Sequence, residues 1–564
     1  MADEVRLILR TSAGPTTVML LALASSLMSW NVGWLDITQS SGLAGFRGTQ
    51  GSQARNYIVE SIGGGCAFLD YNGDGLLDIL LVRGTTLDRL SRGGDPVITL
   101  YENRGDRKFV DVTSKTGLTA RGWGMGVAVA DYDNDGWPDF LVTGFGRNFL
   151  FHNEGNGSFR EVAMAAGVAR PGVWSSGAAF GDIDGDGRLD LYIAAYVDVD
   201  AGRLPAKGSG VNCVYKGVGV FCGPRGMTPG QGALFRNAGD GKFEDISQAS
   251  GITQAAPPFY SLQPLIADFD GDGRQDIFVA NDSTPNYLYR NKGNSQFEEV
   301  GISTGVAVNM DGRAQACMGA DLGDSDNDGR LDLIVTNFSE DTNTLYRNLG
   351  KGVYEDTSWA SKIAPPSWLF LGWGVKFLDY DNDGRLDVIV ANGHVYPEAD
   401  QFGGGSTYRQ RFLLHHNRGR GVYAEIGAGE PTIANPGTAR GLAIGDIDND
   451  GRIDVLVNQQ DGPPRLLINR NGGGHWLQVA LRGTRSNRDG VGAVVTVKAQ
   501  GRLLAAVRLA GDSYLSSSDS RMHFGLGSAP KADSIVVKWP SGREQTLTDV
   551  APDRVLAIEE PSAP

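Results

Sequence analysis

The sequence predicts an all-β chain: a seven-bladed β-propeller followed by a small β-sandwich-like domain. Three observations predict it. A nine-residue acidic pattern, D-x-[DN]-x-D-G-x-x-D, occurs seven times, starting at Asp70, Asp131, Asp182, Asp268, Asp324, Asp379 and Asp446. Each copy lies between short apolar runs inside a longer unit that carries four strand-like segments, and repeats of this kind build propeller blades. After residue 470 the pattern stops, and a different series of strands and turns begins.

The acidic stretch reads as a cation loop. Carboxylates at positions 1, 3 and 5 converge if the chain curls tightly, and the Gly at position 6 tolerates the positive φ that the curl needs. The carbonyl of position 7 then turns inward, and an Asp at position 9 closes the set. Hard cations such as Ca²⁺ take six to eight oxygens of this type. An EF-hand closes instead with Glu at position 12, at the start of a helix. Here apolar residues follow position 9 directly, as in Leu331-Asp332-Leu333-Ile334-Val335, so the loop joins two strands. A lone copy would read equally well as an Asp-Gly hairpin turn; seven copies favour metal. The candidate ligands are Asp70, Asn72, Asp74 and Asp78 in loop 1, and Asp131, Asp133, Asp135 and Asp139 in loop 2. Loop 3 offers Asp182, Asp184, Asp186 and Asp190; loop 4 offers Asp268, Asp270, Asp272 and Asp276. Loop 5 offers Asp324, Asp326, Asp328 and Asp332, loop 6 Asp379, Asp381, Asp383 and Asp387, and loop 7 Asp446, Asp448, Asp450 and Asp454. About seven Ca²⁺ are expected. They would offset most of the formal charge of -15, so the acidity is local ligand chemistry and gives no sign of a basic partner or of nucleic-acid binding.

Within each unit, strand A is a Gly-containing apolar run before the loop, as in Gly124-Met125-Gly126-Val127-Ala128-Val129-Ala130, and strand B follows the loop. Strand C ends in Asn, as at Leu150-Phe151-His152-Asn153 and Leu288-Tyr289-Arg290-Asn291. Strand D carries an aromatic and an acid, as at Phe243-Glu244-Asp245. Six units have their own D strand. The seventh, Arg440 to Asn469, has none, and the matching segment is Trp34-Leu35-Asp36-Ile37-Thr38 near the N-terminus. Pairing the two closes the ring and removes exposed sheet edges. Successive loops are 61, 51, 86, 56, 55 and 67 residues apart. The long interval holds a Gly-rich excursion over about residues 197–232, read as an extended loop.

The chain divides into a signal peptide over residues 1–29, the propeller over 30–470, the second domain over 472–560 and a tail over 561–564. The signal-peptide reading rests on the apolar stretch beginning Val18-Met19-Leu20-Leu21, too short for a comfortable span, and on Ala22-Leu23-Ala24 as a cleavage-like site. No second long apolar run follows, so no transmembrane segment is expected in the mature chain, and a secreted or periplasmic location is. Cys213 and Cys222 frame a short loop in the excursion, and a disulfide between them suits an exported protein. Cys66 and Cys317 lie in apolar strands and read as buried small hydrophobes.

The strand–acidic loop–strand unit resembles the FG-GAP/VCBS repeat, the unit of the integrin α propeller. Gly319-Ala320-Asp321-Leu322-Gly323-Asp324 and Asn392-Gly393-His394-Val395-Tyr396-Pro397 resemble the branch related to cartilage acidic protein. The later motifs His475-Trp476-Leu477, Ser486-Asn487-Arg488-Asp489-Gly490-Val491-Gly492-Ala493, His523-Phe524-Gly525-Leu526-Gly527 and Val537-Lys538-Trp539-Pro540-Ser541-Gly542 are similar to an ASPIC/UnbV domain. Strands are expected there at Leu477–Leu481, Ala493–Val497, Leu503–Leu509, Ser534–Val537 and Val555–Ile558, in a domain packed on or tethered to the propeller.

The metal loops occupy one end of each blade, so the B–C and D–A loops meet at the other. They bring Trp123, Trp174, Tyr260, Gln315 and Trp373 together with Asn281, Asp282, Asn337, Glu340, Asn392 and His394. Aromatic faces beside amides and acids suit a sugar or small polar ligand in an axial funnel; the competing reading is that these side chains satisfy one another and cap the blades. The chain lacks the P-loop, H-E-x-x-H and zinc-type cysteine patterns. The expectation is therefore an exported, calcium-binding adhesion or binding module for an extracellular glycan or protein, with no catalytic residue assigned. The alternative is a polysaccharide lyase- or hydrolase-like enzyme using the funnel, with Asp282, Glu340 and Glu398 as the available acids.

Overall fold

The computed structural model describes residues 33–198 and 201–562; the expected signal peptide lies outside the described residues. Seven four-stranded antiparallel sheets follow one another along the chain. Blade 1 is Cys66–Leu69, Asp78–Val82, Ile98–Asn103 and Phe109–Asp111. Blades 2 to 6 start their A strands at Gly124, Ser175, Ser261, Cys317 and Gly372 and repeat the order A-B-C-D. The A strands touch in a closed circuit, with that of blade 7 (Ala439–Gly445) lying between those of blades 6 and 1. Each is buried along all or nearly all of its length. That is why the A strands read as Gly- and Ala-rich apolar runs and show no alternation.

Blade 7 takes its fourth strand from the N-terminal end, Trp34–Asp36, which pairs antiparallel with Arg465–Asn469 in the register Trp34↔Asn469. Trp34 is 1% exposed and packs with Ile389, Ala391, Phe412, Leu414 and Leu467 between blades 6 and 7. The strand is shorter than the sequence suggested. Thr38–Ser41 is a helical turn, and the Asp36 carboxylate accepts the Thr38 N–H at its entry.

The C-terminal region forms a three-stranded sheet of His475–Arg482, Met522–Gly527 and Arg554–Glu559, and a four-stranded sheet of Val494–Ala499, Arg502–Val507, Ala532–Lys538 and Glu544–Val550. The two share one apolar core that includes Leu477, Val495, Phe524, Ile535 and Trp539. Met522–Gly527 and Glu544–Val550 were not expected as strands. The first carries His and two Gly, and the second is mostly exposed and polar.

Between Val507 and Met522 this region sends a loop into the centre of the propeller. Backbone bonds join it to the A strands: Phe180 N–H to Ala510 O (2.9 Å), Ala320 N–H to Ser513 O (2.7 Å), Val127 N–H to Leu515 O (2.9 Å) and Phe68 N–H to Ser517 O (3.1 Å). Asp519 N–H reaches Ile444 O in blade 7, Gln263 of blade 4 accepts the Leu515 N–H, and Ser513 Oγ accepts the Val375 N–H of blade 6. All seven A strands are engaged. Glycine makes room for the approach: a Cβ on Gly65 would lie 1.9 Å from Leu515 O, and one on Gly319 2.9 Å from Ser513 O.

Candidate metal loops and the closed axial mouth

The seven acidic loops share one internal geometry. The position-1 carboxylate organises the curl, one oxygen accepting the N–H of position 5 and the other that of the position-6 Gly. Examples are Asp70 with Asp74 and Gly75, Asp268 with Asp272 and Gly273, and Asp446 with Asp450 and Gly451. The position-5 carboxylate turns back to accept the N–H of position 7. These bonds hold three carboxylates around one point. Clusters of three donor atoms mutually within 4.8 Å occur at Asp131–Asp133–Asp135, Asp182–Asp184–Asp190 and Asp268–Asp270–Asp272, among others.

Burial pushes Asp78 up to about 8, with Asp74 and Asp70 adding like-charge repulsion. Burial likewise pushes Asp131 up to about 8, with Asp489 adding repulsion. Carboxylates in this condition favour a cation among them. Asp326 Oδ1, Asp381 Oδ1 and Asp448 Oδ1, the position-3 oxygens of loops 5 to 7, are buried and without a hydrogen-bond partner. This donor set is all oxygen and fits a hard divalent cation. Loop 1 differs: Asn72 donates from Nδ2 to Asp74 Oδ2 at 3.0 Å, inside the would-be cation shell.

The Asn that ends each C strand has a role that sequence reading left open. Its N–H binds the position-9 carboxylate of its own loop at 2.7–2.9 Å in all seven blades. In six blades its Nδ2 also reaches the position-2 carbonyl of the preceding blade: Asn103 to Ile447, Asn153 to Tyr71, Asn237 to Tyr132, Asn291 to Ile183, Asn417 to Ser325 and Asn469 to Tyr380. In blade 5 the Tyr354 hydroxyl relays the same link, from Asn348 to Phe269 O. Arg at position 7, in five loops, pairs with the position-5 Asp and donates from Nε to the carbonyl of that Asn, as Arg274 does with Asp272 and Asn291. The repeated D-G-R triplet was the available signal.

At the other end the expected open funnel is filled. Trp123, Trp174, Tyr260 and Trp373 are buried in one apolar cluster with Tyr514 and Leu515 of the central loop. The excursion closes the mouth from outside, placing Val197, Leu204, Val220 and Phe221 in that cluster. The Cys213–Cys222 disulfide is present, and the excursion is clamped by Lys207 on Glu398 and Lys216 on Glu340. Cys66 and Cys317 are buried free thiols, and burial raises Cys66 to about 12.

The polar residues expected in the funnel are buried or paired. Asn281 bonds Pro285 O and Ser261, Gln315 bonds Thr342 O and Thr344, Asn337 bonds Thr342 O, and Asn392 bonds Arg411 O. Asp282 accepts from Tyr196 and Ser283. Trp373 donates to Gly393 O and stacks under the Arg440 guanidinium at 4.3 Å. His394 is fully buried between Ser339 and the Tyr396 N–H, and burial lowers it to about 3, so it is neutral. The structure brings the predicted residues together as a packed cap. The sequence could not show that the excursion and the central loop would cover them.

A family model for the FG-GAP-like repeat matches residues 70–142, 131–193, 220–279, 268–335 and 324–390, together more than half of the chain. A model described as ASPIC and UnbV matches residues 483–564. Cartilage acidic protein 1 of Mus musculus is 27% identical over 509 residues, which cover 85% of this chain and 70% of that protein. The Homo sapiens protein of the same name is 26% identical over 486 residues, covering 74% and 69%. A solved structure of YCF48 bound to D1 peptide superposes with a TM-score of 0.39 at 11% identity, covering 77% of this chain and 96% of that one. The chain therefore belongs to the FG-GAP-like repeat family, as a propeller joined to an ASPIC/UnbV domain.

Proposed function

We propose that this protein is an exported binding module whose propeller is loaded with calcium, about one ion per acidic loop. The observation that carries the reading is the sevenfold oxygen-only loop, with buried position-3 oxygens left unpartnered in loops 5, 6 and 7. Positions 1, 3, 5 and 9 of each loop would hold the ion, which would neutralise the clustered carboxylates. The disulfide supports export to an oxidising compartment. No helix among the described residues is long and apolar enough to cross a membrane. The ligand class is an extracellular glycan or protein, bound on the outer surface of the propeller and its cap. The three acids of the enzymatic alternative are engaged, Asp282 by Tyr196, Glu340 by Lys216 and Glu398 by Lys207, which favours binding over turnover.

Elemental analysis after removal and return of calcium tests the metal reading. About seven ions should bind, loop 1 most weakly, and each site at a hundredfold excess over its Kd should add about 2.7 kcal/mol. A melting curve identical with and without calcium, on protein verified metal-free, would sink the proposal. Glycan and protein arrays, read for both retention and product formation, separate binding from catalysis.

A further inference from the structure

Loop 2 departs from its siblings at one position. The residue before the C-strand Asn stands over the acidic loop. In blades 4 and 5 it is arginine, with Arg290 3.0 Å from Asp270 and Arg347 2.6 Å from Asp326. In blade 2 it is His152. Its Nδ1 lies 3.2 Å from Asp133 Oδ2 and 3.4 Å from Asp139 Oδ1, facing both carboxylates. The Tyr132 ring holds the imidazole edge-on at 6.4 Å.

A second observation is independent of the His. In the other six loops the position-9 carboxylate uses Oδ2 to accept the N–H of position 2. In loop 2 that bond is absent: Asp139 Oδ2 has no partner, and the Asp139 side chain is 0% exposed. Asp133, Asp139 and His152 each present a donor atom, all within 4.8 Å of one another. Blade 6 also has a His there, but His416 Nδ1 is hydrogen-bonded to Asp387 Oδ1 at 3.1 Å, and Asp387 Oδ2 accepts the Tyr380 N–H.

We propose that loop 2 is a mixed nitrogen–oxygen site for a divalent transition metal of the Zn²⁺ or Co²⁺ class, with His152, Asp133 and Asp139 as ligands. Imidazole is a good ligand for these ions and a poor one for calcium, which takes oxygen donors. The proposal rests on the loops being cation sites, but it sets loop 2 apart by ion type.

The test uses the full chain, stripped by chelation, refilled with excess Ca²⁺ and then titrated with Co²⁺ alone. Wild type should retain one equivalent of Co²⁺ through desalting into calcium buffer, with visible absorption bands from nitrogen ligation. His152→Gln should lose that equivalent, and His416→Gln should keep it. Wild type retaining no Co²⁺, or His152→Gln retaining it, overturns the assignment. If His152→Gln fails to fold, anomalous diffraction at the cobalt edge on wild-type crystals decides. A peak within bonding distance of His152 Nδ1 supports the site, and a peak elsewhere or none overturns it. Calcium content measured in parallel separates the two readings. Calcium without cobalt sinks only this proposal, and cobalt without calcium sinks only the calcium reading.

Discussion

Removing the Lys376 ammonium should release the central loop from the propeller. Lys376 Nζ lies 2.7 Å from Asp321 Oδ1 in blade 5 and 2.7 Å from Asp512 Oδ2 in the loop. All three side chains are at least nine-tenths buried. Lys376→Met keeps the length of the stem but leaves two buried carboxylates facing each other without a counter-charge. Breaking a buried pair from one side costs about 3–5 kcal/mol, whereas replacing all the charges together is often neutral. The triple variant Lys376→Met/Asp321→Asn/Asp512→Asn should therefore recover most of the loss. Thermal melting reports the stability. Hydrogen exchange reports the release, because the Phe180, Val127 and Ala320 amides bonded to the loop should lose protection in the single variant. If Lys376→Met melts within a degree or two of wild type, or if the triple variant is no better than the single one, the triad is not what holds the loop in place.

Two further outcomes follow from the geometry. Deleting residues up to Ser29 should leave melting unchanged, whereas deleting up to Gln39 should destabilise or aggregate the protein. Trp34→Ala alone should cost about 3–5 kcal/mol, and equal melting of both truncations would contradict ring closure. Glu560 accepts the N–H groups of Thr484, Arg485 and Ser486 and the hydroxyl of Ser541. Burial alone would raise its carboxyl, but the Ser541 hydroxyl and those amides outweigh burial and hold it down to about 2, below the usual 4.5. Its stabilisation is then present above about pH 4.5 and lost as pH falls through about 2. The melting difference between wild type and Glu560→Gln should shrink over that window, and a gap constant from pH 6 to 2 would rule the linkage out.

The ring was legible because its signals are local and repeated. The acidic loop, the Asn-ended strand and the stray Trp34 strand each appear in a few consecutive residues. The closed mouth was not legible. Trp123, Trp174 and Trp373 look the same in sequence whether they face a ligand or a core, and only the excursion and Leu515 decide between the two. The central loop, Gly511-Asp512-Ser513-Tyr514-Leu515-Ser516-Ser517-Ser518, has the Ser and Gly content of a surface turn. It is bonded through its backbone to strands hundreds of residues away, and no periodicity records such a pairing. A trace was available in two glycines, Gly65 just before the blade 1 A strand and Gly319 within that of blade 5, which sit where the loop approaches.

The central loop also changes what counts as a folding unit. The chain crosses from propeller to tail between Asn469 and His475, yet Phe68, Val127, Phe180 and Ala320 of the innermost strands spend their N–H groups on residues 510–517. Without the tail these donors would lose their partners, and a buried N–H left unpaired costs about 1–3 kcal/mol. The C-strand asparagines meanwhile tie each blade to the one before it, and Trp34–Asp36 ties the last blade to the N-terminal end. Propeller stability therefore depends on two remote segments at once, residues 34–36 at the rim and 508–521 on the axis. A cut at the sequence boundary would leave the tail its own apolar core but would strip the propeller clusters of Ala510, Tyr514 and Leu515.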